Sequence, residues 1–339
     1  MAKEGAGGTQ EPIFIGFECR ISNSKSYIPL MKRYPIGIQD FEKLREENYL
    51  YVDKTRQTFE LANSGSYFFL SRPRRFGKSL LLSTLKYFFL GRRELFEGLW
   101  VDREATYDWA EHPVLHFSFS SSGYKDIGLE RALLRLIEDA AREYGLELQA
   151  EGLSGRFKEL LRALGQGQQK VVLLIDEYDK PLTDYFDDLP QAEVNRRTLK
   201  NFFSIIKDAD AYLRLFLITG VSKFSKVSLF SDLNNLEDLT LSPYAATLTG
   251  YTQAELEAYF SEEIDQIAQQ TETSRSKTLD RIRLWYNGYQ WDIGQAVYNP
   301  FSILNWAKSG KIRNYWWETG TPTFLLKALQ REFQFELEE

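Results

Sequence analysis

The stretch SRPRRFGKS, residues 71–79, follows a short, wholly apolar run, Tyr67-Phe68-Phe69-Leu70, and precedes Leu80 to Leu90, which carries leucine and aromatic residues around most of its circumference. An apolar run of that length suits a strand buried on both faces of a parallel sheet, and the segment after it reads as a buried helix closing at Gly91. The loop between them ends like the phosphate cradle G-x-x-x-x-G-K-S/T but has Arg72 where that pattern has its first glycine. Gly77 lets backbone N–H groups approach a phosphate, Lys78 supplies an ammonium for the outer phosphates, and the Ser79 hydroxyl is a ligand for Mg²⁺. A helix opening here also turns its positive end toward an anion. Against this, Arg72 tolerates positive φ poorly and Pro73 has no N–H to donate, so the first half of the loop must take another path. The bland alternative is a solvated basic turn made by Arg72, Arg74 and Arg75.

Further along, the same alternation recurs. Val114 to Phe119 is a strand candidate, Leu129 to Tyr144 and Phe157 to Leu164 are amphipathic helices, and Lys170 to Ile175 is the clearest strand in the chain. Residues 192–209 read as helix, Leu213 to Ile218 as another buried strand, and Glu237 to Leu241 as a fifth. Strands alternating with helices predict an α/β fold, a mainly parallel five-stranded sheet covered by helices on both faces. Beyond Gly250 the texture changes. Thr252-Gln253-Ala254-Glu255 has capping-box spacing and opens a charged helix to about Gln270, and Leu279 to Tyr286 and Phe301 to Ala307 add further helical pattern. The expected organisation is a leader, appended segment or upstream start over residues 1–30, a P-loop core over 31–250 and a smaller, mostly helical, lid-like part over 251–339.

Ligands of an open parallel sheet sit beyond the carboxyl ends of its strands. Three runs put polar groups there: Ser71 to Ser79, Asp176-Glu177, and Thr219 to Ser222. Asp-Glu after a buried strand is what an ATPase of the additional-strand type requires. Asp176 would hold the water shell of Mg²⁺, and Glu177 would orient and deprotonate the attacking water. Thr219 lies where a polar residue can sense the γ-phosphate. The bland alternatives are a pair of helix N-cap acids and a capped strand end.

Composition narrows the function classes. The chain has 339 residues, 43 % of them hydrophobic, which is ample for packed cores. Its 42 Lys+Arg against 48 Asp+Glu give a formal charge of −6, so any basic site must be local. The lone cysteine, Cys19, excludes an intrachain disulfide framework, and the two histidines, His112 and His116, flank an apolar run and read as structural. No apolar stretch approaches the ~20 residues of a membrane span, and the N-terminus lacks a signal-peptide core. A cytoplasmic protein is expected.

Five runs, in order, resemble the bacterial AAA-ATPase-like family: Tyr34 to Phe41, Tyr51-Val52-Asp53-Lys54-Thr55, Arg72 to Ser79, Leu174 to Pro181, and Trp285 to Tyr289. The likeness covers about Met31 to the C-terminus. In that family an arginine-proline start to the loop is usual, so the resemblance implies a variant cradle. It further implies ATP and Mg²⁺ as ligands, with Arg72, Pro73, Arg74, Arg75, Phe76, Gly77, Lys78, Ser79 and Leu80 around the nucleotide. Ser79 and Asp176 would serve the metal, and Glu177 and Lys78 the chemistry, to which the strand-end reading above adds Thr219. Members commonly continue into a PD-(D/E)xK nuclease domain. The sequence remaining before Glu339 is too short for one, so the chain looks like a fragment or a short member. Some members carry arginine after Gly-Tyr in the last motif, where this chain has Gln290. The family is linked to mobile elements and defence.

Besides a Mg²⁺-dependent ATPase, two other readings are compatible with the sequence. One is a nucleotide-held switch without turnover. The other is nucleic-acid binding through Arg72, Arg74, Arg75, Lys223 and Lys226, with Trp285, Tyr289, Trp291, Trp316 and Trp317 available for base stacking. A homo-oligomer and a nuclease partner are both open to an ATPase of this kind.

Overall fold

The computed structural model describes residues 32–221, 229, 230, 233, 235–292 and 294–316. Arg33–Glu339 forms one compact unit and Met1–Lys32 another, and every contact below lies within the former. The expected leader, Ser222, Lys223, Lys226 and Trp317 lie outside the described residues.

The chain runs α1 (Phe41–Glu46), α2 (Thr55–Ser64), β1 (Tyr67–Ser71), α3 (Lys78–Phe89), α4 (Trp100–Glu104), β2 (Val114–Ser118), α5 (Tyr124–Ile127), α6 (Leu129–Glu143), α7 (Gly152–Gly165), β3 (Val171–Asp176), α8 (Lys180–Thr183), α9 (Leu189–Asp208), β4 (Leu213–Gly220) and β5 (Glu237–Asp238). The five strands form one sheet in the order β2-β3-β4-β1-β5, and every pairing is parallel. Strands β1 and β3 are buried at every position, which is why their sequences lack polar alternation.

Successive residues point to opposite faces. On one face Phe69, Leu173, Ile175, Phe216 and Ile218 pack with Leu133 and Ile137 of α6, Phe157 and Leu161 of α7, and Phe202 and Ile206 of α9. On the other, Phe68, Leu70, Val172, Leu174, Leu215 and Leu217 pack with Phe41 of α1, Leu61 of α2, and Leu82, Leu85 and Phe89 of α3. Both faces are therefore covered, as the continuous apolar runs require. The strand expected over Val114 to Phe119 ends at Ser118, because Phe119 starts a short 3-10 turn and is fully buried.

The last third of the described chain contains α10 (Gln253–Tyr259), α11 (Ser261–Gln270), α12 (Arg275–Tyr286), a hairpin of β6 (Tyr289–Gln290) and β7 (Ala296–Val297), and α13 (Pro300–Ser309). The single helix expected from Thr252 to Gln270 is broken at Phe260. That side chain is fully buried beside Leu256, Ile264, Ile282, Tyr286, Ile303 and Trp306. Its φ of −119° and ψ of 22° interrupt the helix so that both α10 and α11 can face this cluster. Val52, from before β1, packs in the same cluster, so the helical part is seated on the segment that precedes the core.

Candidate active site

The loop after β1 opens at Arg72, whose N–H donates to the Gly220 carbonyl at 3.2 Å and so extends the β1–β4 pairing by one residue. The Arg72 side chain is 1 % exposed. Its Nη1 donates to the carbonyls of Ser71 and Thr240 (2.9 and 2.8 Å) and its Nη2 to that of Ala245 (3.0 Å), while the guanidinium lies 4.3 Å from the Trp291 ring centroid. Burial pushes this guanidinium down to about 10. Expected around the nucleotide, its side chain is instead turned into the protein, where it ties the loop to the chain beyond β5 and to the turn after β6. Phe76 is likewise fully buried, against Tyr289 at 4.8 Å and Trp291 at 5.7 Å. The left-handed backbone that a phosphate loop needs is supplied further on, by Arg75 (φ 62°) and by Gly77 (φ 93°), which caps α3. The arginine at the position of the first consensus glycine thus meets no positive-φ penalty.

Lys78, the first residue of α3, is 6 % exposed, and its Nζ donates to the carbonyls of Arg72 (2.9 Å) and Pro73 (3.0 Å). Burial holds its ammonium below the ordinary 10.5, against the opposing pull of Asp176, Asp179 and Glu177. At the end of β3, Asp176 is buried and its Oδ1 accepts from the Thr219 hydroxyl at 2.5 Å and from the Glu177 N–H at 3.0 Å. Glu177 takes a left-handed conformation, φ 53°, which turns the chain back toward α8. Because β4 lies between β1 and β3, Thr219 stands in the middle of the three strand ends. Gly220 follows, and a Cβ there would sit 2.5 Å from the Tyr178 ring and 2.9 Å from an Asp179 oxygen. The other Asp179 oxygen accepts from the Val221 N–H at 2.9 Å, so the ends of β3 and β4 are locked together.

These strand ends face a cavity of about 350 Å³. The loop and α3 line it with Arg74, Arg75, Phe76, Gly77, Lys78, Ser79 and Leu80, and the turn after β3 adds Glu177 and Lys180. The remaining wall is mainly apolar: Pro35, Gly37, Ile38 and Gln39 from the N-terminal side, with Tyr251, Pro300, Phe301 and Leu304 from the helical part. The expected residues Pro73, Arg72, Asp176 and Thr219 stand behind this lining. Of these, Asp176 and Thr219 reach it through hydrogen bonds, and the carbonyls of Arg72 and Pro73 hold Lys78. Four cations, Arg74, Arg75, Lys78 and Lys180, line a cavity that has Glu177 as its acid, in a chain of formal charge −6. That balance suits a polyanion.

The apolar wall and Lys180 carried no site role in the sequence reading, although Lys180 and the Pro35 to Gln39 part of the wall fall inside runs that bore the family resemblance. Their signal was adjacency in space, which one sequence does not display. Asp40, Asp53 and Lys54, also in those runs, are structural. Asp40 caps α1 through the Lys43 N–H (2.8 Å) and accepts from the Tyr87 hydroxyl of α3 (3.1 Å). Asp53 accepts from Thr55 N and Oγ1 (2.8 and 2.7 Å) and from Trp100 N (2.7 Å). Lys54 pairs with Glu255 of α10 at 2.7 Å. His112 bonds the Lys170 carbonyl at 2.9 Å, in keeping with a structural histidine. Among the described residues no group of three or more His, Cys, Asp or Glu gathers to hold a metal, and no helix is long and apolar enough to cross a membrane.

A family profile described as "Predicted AAA-ATPase" matches residues 35–230, more than half of the chain and the whole span from the Pro35 wall through β4. The chain belongs to the AAA-ATPase-like family. A relative described as "Uncharacterized protein in vnfD 5'region", from Azotobacter chroococcum mcd 1, is 44 % identical over 315 residues, which cover 91 % of this chain. The chain spans 58 % of that relative's length. The profile takes in Arg72 to Leu80, Asp176, Glu177 and Thr219, so every site residue expected of this AAA-ATPase-like protein falls inside the matched span.

Proposed function

We propose that the protein binds ATP with Mg²⁺ and hydrolyses it, and that α10 to α13 form a lid-like part over the nucleotide. The observation that carries this reading is the convergence of Lys78-Ser79, Glu177 and the Asp176–Thr219 pair on one cation-lined cavity at the carboxyl ends of three adjacent strands. Lys78 would exchange its two carbonyl partners for β- and γ-phosphate oxygens, and the N–H groups at the start of α3 would face the same anion. Arg74 and Arg75 add charge at the mouth. The apolar wall of Pro35, Ile38, Tyr251 and Phe301 suits a nucleotide base, a flat and largely apolar ring.

Mg²⁺ prefers hard oxygen donors and keeps several waters, and this site offers the Ser79 hydroxyl with Asp176 one layer behind it. These residues fit the ion, which would neutralise charge developing on the phosphates. Glu177 would take a proton from the attacking water. The water oxygen bonds to the γ-phosphorus, and the β–γ bridging bond breaks with its electron pair going to ADP. A cytoplasmic setting, with which the single cysteine is compatible, is part of the same proposal. Work driven by turnover, in a nuclease, a nucleic-acid partner or a homo-oligomer, belongs to the same proposal. The pure nucleic-acid reading is disfavoured because Arg72 is buried and Tyr289 and Trp291 are spent on Phe76.

The test is Mg²⁺-dependent ATP turnover by the wild type beside Glu177→Gln, with nucleotide affinity measured on both. The expected result is a loss of about 10²-fold or more in turnover with affinity retained. Binding without turnover in either protein supports the nucleotide-held switch instead, and no binding in either overturns the nucleotide reading altogether.

A further inference from the structure

Lys180 is the cation of the cavity that this mechanism leaves unused. It is the first residue of α8, three positions after Glu177, and its N–H donates to the Glu177 carbonyl at 3.1 Å, so both residues belong to one tight turn. The backbone of that turn is anchored: the buried Asn195 of α9 donates to the Pro181 carbonyl at 2.7 Å. The Lys180 side chain is 29 % exposed, and its Nζ reaches Asp184 at 3.2 and 3.4 Å, long for a charge-assisted contact. Asp184 is better served by others, since it accepts from the Tyr124 hydroxyl at 2.7 Å and from Lys125 at 2.6 Å. If Lys180 swung away, Asp184 would keep its two shorter partners, both on Oδ2, so the carboxylate would stay paired while Oδ1 gave up its lysine. Lys180 therefore rests on an acid that has shorter partners on its other oxygen, while lining the cavity with Lys78 and Glu177.

We propose that Lys180 is a γ-phosphate-contacting residue that moves from Asp184 onto the terminal phosphate of bound ATP, supplying from within the same chain the positive charge that many phosphoryl-transfer enzymes take from an arginine finger. This rests on the ATPase reading above and deepens it. Lys180 transfers no proton in this scheme. Water attacks phosphorus, Glu177 takes the proton, and ADP leaves with the bond pair, while Lys180 balances charge on the γ-oxygens. A lysine suits the role because its ammonium is a point charge on a flexible stem that donates in any direction. Since ADP lacks the γ-phosphate, the contact must discriminate between the two nucleotides.

The experiment measures, by titration calorimetry with Mg²⁺, the affinities of a non-hydrolysable ATP analogue and of ADP for the wild type, Lys180→Ala, Lys180→Arg and Lys125→Ala. In Lys180→Ala the analogue should weaken by about 10- to 100-fold while ADP changes by less than about twofold, which matches loss of one charge-assisted contact. Lys180→Arg, which keeps the charge, should hold the analogue within about fivefold of wild type. Lys125→Ala removes a partner of the same Asp184 from outside the cavity and should leave the ratio unchanged. Equal weakening of both ligands in Lys180→Ala, or the same loss of preference in Lys125→Ala, overturns the Lys180 assignment and leaves the ATPase reading standing. A wild type that binds neither nucleotide overturns the ATPase reading and this inference together.

Discussion

At the scale of single residues, the loop separates two kinds of arginine. Arg74 and Arg75 face the cavity, whereas Arg72 spends its guanidinium on backbone carbonyls of Thr240 and Ala245. Replacing Arg72 with methionine keeps much of the volume and removes the donors, so the Thr240 carbonyl loses its guanidinium partner while the Ala245 carbonyl keeps only the Leu248 N–H at 3.2 Å. The expected cost is about 2–4 kcal/mol of stability, read from the urea midpoint. Lys78 makes a different prediction. Its ammonium is held below 10.5 by burial, and a bound triphosphate would favour the charged form and raise it again. A group with a higher pKa in the complex takes up protons on binding. Nucleotide affinity should therefore fall as pH rises through the depressed pKa of the empty site, with proton uptake on binding over that same interval. Calorimetry in two buffers of different ionisation enthalpy checks this, and zero uptake across that range would contradict it. The sequence alone makes Gly77, Lys78 and Ser79 candidates, because that spacing gives each a use in holding phosphate. The fate of Arg72 was not legible there, because two of its three acceptors lie more than 160 residues away along the chain.

Among the secondary elements, β1 to β4 follow from apolar runs and one helix start from its capping box. The capping box at Thr252 forms as its spacing predicts: the Glu255 N–H donates to the Thr252 hydroxyl at 3.2 Å, and the Thr252 N–H donates to the Glu255 carboxylate at 2.8 Å. Thr252→Ala should cost about 1 kcal/mol, measured by thermal or urea unfolding, while leaving nucleotide affinity unchanged because Thr252 does not line the cavity. The break at Phe260 was invisible in advance. The periodicity continues through it, and only the buried cluster of Leu256, Ile264 and Trp306 gives the phenylalanine a reason to turn inward there. The two-residue strands β6 and β7 are too short for any pattern to announce, yet they place Tyr289 against Phe76 under the phosphate loop.

For the molecule as a whole, the cavity is assembled from three distant parts of the chain: residues 35–39, the ends of β1 and β3, and Tyr251 with α13. A ligand that touches all three should order all three. Hydrogen exchange with a saturating ATP analogue is expected to slow amides around Gly37 to Gln39 and across the first turn of α13 as well as in the phosphate loop. Stability should rise by about 2.7 kcal/mol at a hundredfold excess over Kd. Protection confined to the loop would separate the helical part from the nucleotide and remove the lid from the proposal.

The sequence by itself determined the alternation of buried strands and helices, a glycine directly before Lys78-Ser79, and an acidic pair at a strand end. Those features are local, since hydrophobic period, backbone freedom and side-chain chemistry are carried by neighbouring residues. Only the tertiary structure decided that β4 runs between β1 and β3, that Arg72 and Phe76 turn inward, and that Lys180 and the Pro35–Gln39 segment meet Lys78 across one cavity. A strand buried on both faces has the same apolar code whatever its neighbour, so strand order is set by how the connecting helices cover the sheet. Partners more than a hundred residues apart are chosen by the packing of the whole.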